Sequence, residues 1–170
     1  MSPQRGLAWV LFFLYSAWAV ALSGLCATSG LGAFTPDLGL VLLFAWAARL
    51  RGSRAPLAAL CVALARACFS ADPPLALAAA ELTALGLFAA LGAGLEVDRA
   101  VLRAVLCAGG AWLSALLLVG ARALTLGGDT ELLGAHALWP GALATGLACL
   151  LLAPLATRLA GLSPLARVRP

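Results

Sequence analysis

Six long apolar runs, with most of the arginines and acids in the short breaks and ends around them, constrain this chain more than any other feature. The runs cover about 7–25, 34–50, 55–69, 75–95, 102–124 and 137–156. A transmembrane helix needs about 20 mainly apolar residues, with a working range of roughly 17–25. In lipid, every backbone N–H and C=O must be satisfied inside the protein, so runs of this kind read as helices. Composition agrees. Of 170 residues, 40 are Ala and 41 are Leu, 64% are apolar, only 11% are charged, and the mean hydropathy is +1.04. A soluble domain is about 45–50% apolar with about a quarter of its residues charged. A soluble enzyme is therefore excluded, and so is a disordered chain, which needs low hydropathy. The expected fold is all-α: a polytopic membrane protein in which 1–170 form a single integral membrane domain, with about six transmembrane helices in one compact bundle.

The arginines set the expected orientation. All eleven basic residues are Arg. With the N-terminus cytoplasmic, nine of the eleven fall at cytoplasmic ends: Arg5, Arg49, Arg51, Arg54, Arg99, Arg103, Arg158, Arg167 and Arg169. The opposite loops hold acids instead, Asp37, Asp72, Asp129 and Glu131. The positive-inside rule then predicts six helices with both termini cytoplasmic. The first run also resembles the apolar core of a signal peptide. Five further runs follow it, however, and Leu25 stands where a lipoprotein site needs a small residue before Cys26, so it reads as a retained helix. The second and third runs are short. Asp37 to Arg49 and Arg54 to Arg66 are each twelve residues, about 18 Å of helix against a hydrocarbon core of about 30 Å. Either they form a short pair with charged ends facing protein, or they form a re-entrant hairpin that leaves the rest of the orientation unchanged.

Ionisable residues at membrane depth are costly and usually face other helices. Arg66 lies near the end of the third run and Glu81 seven residues into the fourth, on either side of a tight turn centred near Asp72. Antiparallel packing across that turn brings the two to similar depth. They then form a buried ion pair, or Arg66 snorkels to Asp72 or to headgroups while Glu81 is protonated or faces another helix. Arg122 is expected to snorkel outward, and His136, the only histidine, to be interfacial. Small-residue pairs such as Ala17/Ala21 and Gly86/Ala90 permit close helix approach, and the five Trp fall mostly toward run ends as an aromatic belt would. The five cysteines form no C-x-x-C and no Cys/His cluster, so they read as small core residues rather than disulfide or metal ligands. No catalytic residues, no metal site and no cofactor are expected, because neither a Ser-His-Asp set nor a glycine-rich phosphate loop nor an H-x-x-x-H pair is present. Nucleic acid is not an expected partner; the lipid bilayer is.

The second run opens Phe34-Thr35-Pro36-Asp37-Leu38-Gly39-Leu40-Val41-Leu42-Leu43 and is closed by the Arg cluster. This segment resembles the Pro-Asp-Leu apolar segment of the bacterial rod-shape-determining MreD family. Pro73-Pro74-Leu75-Ala76 resembles that family's break before its fourth span, and the length, the six runs, the minimal loops and the short basic tail are also similar. At the end of the third run this chain has Arg66-Ala67-Cys68-Phe69-Ser70, where the family often has Gly-Leu-x-x-Asp. Only Pro36 and Asp37 therefore carry over, as structural or partner-facing positions. The resemblance implies a non-enzymatic scaffold of the cell-shape and cell-wall elongation machinery in the bacterial inner membrane. It also implies partners, an MreC-like protein and through it a peptidoglycan synthase complex. The MreD family is similar in fold to the substrate-binding (S) component of energy-coupling-factor vitamin transporters, so the alternative is a subunit of that kind. Polar side chains converging at the outer face would separate the two, and the loops here offer mainly Ser, Thr, Gly and acids.

Overall fold

The computed structural model describes residues 3–50, 54–92, 100–126 and 138–166. Their long elements are α-helices: α1 Pro3–Cys26, α2 Leu38–Ala47, α3 Arg54–Ala67, α4 Pro74–Gly92, α5 Ala100–Leu126 and α6 Trp139–Ala156. Proline sits in the first turn of α1, α4 and α6, where its missing N–H costs nothing and its φ suits a helix. Past Cys26 the chain continues through a wide turn, Ala27–Leu31, and a short 3-10 turn, Gly32–Phe34. Four segments, 3–34, 74–91, 100–124 and 139–156, are long and apolar enough to cross a membrane, which marks the chain as a membrane protein.

The second run becomes helix only from Leu38, not from 34, because Pro36 and the capping residue Asp37 stand outside it. It stops at Ala47, giving ten residues or about 15 Å. Such a helix is short for lipid, and it does not face lipid. Every residue from Gly39 to Ala47 is buried, and α1, α3, α4, α5 and α6 all pack against it. An all-round apolar helix belongs inside protein, and α2 is the central post of the bundle.

Around it run α1, α3, α4, α5 and α6 in contact order. Between α1 and α6 lies an apolar groove of about 670 Å³ whose base is Leu38, Val41 and Leu42 of α2. The tightest helix approach is α5 on α6. A Cβ on Gly146 would stand 2.9 Å from the Ala108 Cβ and 3.0 Å from the Ala104 carbonyl. The small-residue pair expected to serve this purpose, Gly86/Ala90, faces outward instead.

One further expectation is corrected. Trp46 is no belt residue; it is buried and donates from Nε1 to the Ala156 carbonyl at 3.0 Å. Residues 157–166 fold back over the arginine-bearing end, burying Leu162 and Leu165, and accept from Arg49 and Arg54 at the Thr157 and Leu165 carbonyls. Gly161 makes the return possible at φ +79°, a conformation that favours glycine. Of the cysteines, Cys107 and Cys149 are buried against each other between α5 and α6, while Cys68 is exposed, and none is in a disulfide.

Candidate functional site

The other end of the bundle carries the polar chemistry. Here α1, α3 and α5 end and α2, α4 and α6 begin. A helix start leaves four N–H groups without intrahelical partners, which inside a bundle must be met by side chains. At α2 three elements supply them. Asp37 accepts from the Leu40 N–H through Oδ1 at 3.1 Å, an N-cap. The Leu38 N–H donates to Ser23 Oγ of α1 at 2.9 Å, and the Asp37 N–H donates to Thr145 Oγ1 of α6 at 2.8 Å. Both hydroxyls pass their own protons back to their helices, Ser23 to Ala19 O and Thr145 to Gly141 O.

The second carboxylate oxygen of Asp37 binds Arg66 Nη2, and Arg66 Nη1 donates to Glu81 Oε1. One guanidinium therefore holds two carboxylates and ties α2, α3 and α4 together. Arg66 lies in the last turn of α3, where the helix dipole favours a cation. Glu81 is fully buried, and its Oε2 has no hydrogen-bond partner among the described residues, whereas Asp37 and Arg66 keep 18% and 19% of their side chains exposed. Arg66 thus meets Glu81, as the tight turn suggests, and it does not reach to Asp72. The third member, Asp37, is the residue that pairing across the turn misses.

Asp72 takes a different arginine. In the turn between α3 and α4, Ser70 Oγ donates to Asp72 Oδ2 and accepts from the Asp72 N–H. Arg122 of α5 donates to both oxygens, from Nε at 2.6 Å and from Nη2 at 2.9 Å. This bidentate hold, with the Ser70 bond, keeps the Asp72 carboxyl below the usual carboxylate range. Arg122 therefore reaches back to the turn between α3 and α4 and binds Asp72 there.

Between these groups lies a cavity of about 650 Å³, within the roughly 300–1,000 Å³ of small-molecule sites. Asp37, Arg66, Asp72 and Arg122 line it, together with the hydroxyls of Ser23, Thr35, Ser70, Ser114 and Thr145. Its space comes from small residues, among them Gly24 and Ala27 of α1, Ala111 and Ala115 of α5, and Gly141 and Ala142 of α6. Ser114 is 1% exposed, and its hydroxyl has no partner among the described residues. Pro36 lies in the same wall. Among the described residues no group of three metal-ligating side chains occurs. His136, Asp129 and Glu131 lie outside the described residues, as do Arg51, Arg99, Arg167 and Arg169.

None of the family models, curated proteins or solved structures compared with this chain matches it.

Proposed function

We propose that this chain is a non-enzymatic subunit of the bacterial cell-elongation machinery in the inner membrane, with six membrane helices and both termini cytoplasmic. It works by holding partner membrane proteins, an MreC-like bitopic protein and, through it, peptidoglycan synthases. The observation that supports the reading is the position of Pro36-Asp37, the two residues that carry the MreD resemblance. Asp37 caps the central helix, donates its N–H to Thr145 of α6 and pairs with Arg66 of α3. A motif built into that junction serves a rigid platform, which a scaffold requires. In this reading the short α2 counts as a span because protein surrounds it, and the short α3 because its outer face is leucine-rich and its terminal arginines can snorkel. Affinity purification from native membranes, with identification of co-purified proteins, tests the proposal. An MreC-like protein and a synthase are the expected partners; recovery of a transporter energy-coupling module instead replaces the scaffold with the second reading.

That second reading, a substrate-binding subunit of an energy-coupling-factor-type transporter, is favoured by one observation. Nine polar side chains converge on a single cavity at the end opposite the arginine cluster. They come largely from helices and helix ends rather than from long loops, so an outer face with short loops still presents the polar convergence such a subunit needs.

A further inference from the structure

The cavity has a charge and a shape, and together they select a class of ligand. Both arginines that line it are already bound to carboxylates: Arg66 uses Nη1 and Nη2 on Glu81 and Asp37, and Arg122 uses Nε and Nη2 on Asp72. An anionic ligand would have to compete with a carboxylate for either one. The charge count runs the other way. Among the described residues, two carboxyl groups meet the one guanidinium of Arg66, while Asp72 is held by Arg122. The two carboxyl groups share one cation, and one of them, Asp37, lines the cavity. A carboxylate accepts about four hydrogen bonds. Asp37 uses one on Leu40 and one on Arg66, which leaves capacity for an ammonium.

Apart from its hydroxyls, the rest of the wall is apolar and made largely of small side chains, with Val20, Phe69, Leu77, Leu118 and Leu138 the larger ones. Ser114 adds one buried hydroxyl whose hydrogen-bonding capacity nothing in the described protein uses. A buried hydroxyl without a partner is a standing cost to the empty protein, and a ligand that reaches it removes that cost.

We propose that this cavity binds an organic amine with an apolar body, its ammonium on Asp37, its body among the small residues of α1, α5 and α6, and Ser114 hydrogen-bonded to its polar part. The inference deepens the ligand-binding reading above by naming a ligand class, and it is compatible with a scaffold that carries such a ligand.

Three probes with one indole body test it: tryptamine, tryptophol and indole-3-propionate, each radiolabelled and equilibrated by dialysis with the purified full chain in nanodiscs, empty nanodiscs serving as the blank. The expected result is saturable tryptamine binding at least about tenfold tighter than either analogue, the factor that about 1.4 kcal/mol represents. Ser114→Ala breaks no bond within the described protein and removes an unpaired buried hydroxyl, so it should raise the unfolding midpoint of the empty protein slightly while weakening tryptamine several-fold. Ala115→Trp, which fills the cavity, should abolish binding. Tryptophol or indole-3-propionate binding as tightly as tryptamine overturns the amine assignment while leaving a ligand site in place. No saturable binding of any probe, or tryptamine binding untouched by both Ser114→Ala and Ala115→Trp, overturns the amine proposal and the ligand-binding reading of this cavity together.

Discussion

Replacing Arg66 by Leu removes the single cation that two carboxylates share. Glu81 then stays fully buried with neither oxygen partnered, while Asp37 keeps its cap bond to Leu40 and its partial exposure. Breaking a buried pair by deleting one partner costs about 3–5 kcal/mol, because the other charge stays in low dielectric. Glu81→Leu is a different perturbation. Arg66 retains Asp37, and the change also deletes Oε2, which has no partner to lose. Its expected cost is about 1 kcal/mol, the net worth of an ordinary hydrogen bond. A two-member pair would make the two single losses equal; the third member makes them unequal. The double variant Arg66→Leu/Glu81→Leu removes the stranded charge and should lose only about 1–2 kcal/mol, a coupling of about 2–5 kcal/mol in the mutant cycle. Equilibrium unfolding in mixed micelles, followed by far-UV circular dichroism, measures all three. Equal losses for the two single changes, with an additive double, would refute the shared-cation account.

The Asp72 carboxyl titrates below its usual range, so its pair with Arg122 contributes stability above the unfolded carboxylate value of about 3.9 and loses it as pH falls through the lower folded value. Because Arg122 is more than half exposed, that contribution is at most about 1 kcal/mol; thermal melts of wild type and Arg122→Gln should differ near neutral pH and converge in acid below both values. Gly146→Ala forces α5 and α6 apart against a backbone carbonyl and should cost about 1–3 kcal/mol by overpacking, whereas Gly86→Ala, with open space at its Cβ, should cost nothing in the same denaturation assay. Leu162→Ala empties a fully buried position and should cost about 2–5 kcal/mol, a loss that a disordered tail would not give. In a cysteine-free background, labelling of single cysteines placed at Ser70 and Gly128 should occur from outside the cell, and at Gly52 and Val97 only from inside; inside labelling at Gly128 would reject the proposed topology, and inside labelling at Ser70 alone would make α2 and α3 a re-entrant hairpin.

Much of the helical plan is legible in the runs themselves, because lipid leaves an apolar backbone few options. The meeting of Arg66 and Glu81 is legible too, since a tight turn fixes which residues of an antiparallel pair share a level. Asp37 was within reach of the same logic. Its twelve-residue distance to Arg49 equals that from Arg54 to Arg66, so a hairpin of α2 and α3 already sets Asp37 beside Arg66. The cavity was not legible. Its walls are side chains that are missing, glycines and alanines contributed by α1, α5 and α6, and in a chain with 40 alanines no single one announces a void. Ser114 looks like any serine in an apolar run until its neighbours are known. The burial of Leu162 and Leu165 likewise depends on a chain reversal at Gly161 that no periodicity records.

The way α2 is capped has a consequence for biogenesis. Its ten residues, about 15 Å long, emerge from the ribosome right after α1, and Ser23 is there to receive the Leu38 N–H. The acceptor for the Asp37 N–H is Thr145, 108 residues further along the chain. At a synthesis rate of roughly 5–20 residues per second, the post at the centre of the bundle waits several seconds for its last bond. During that interval it is a short helix with an unmet polar end, held by α1 and, once Arg66 has emerged, by α3. A ribosome that stalls before α6, or a message cut short there, therefore leaves the Asp37 N–H without its acceptor and the central helix open at its polar end. That end is closed only when α6 docks.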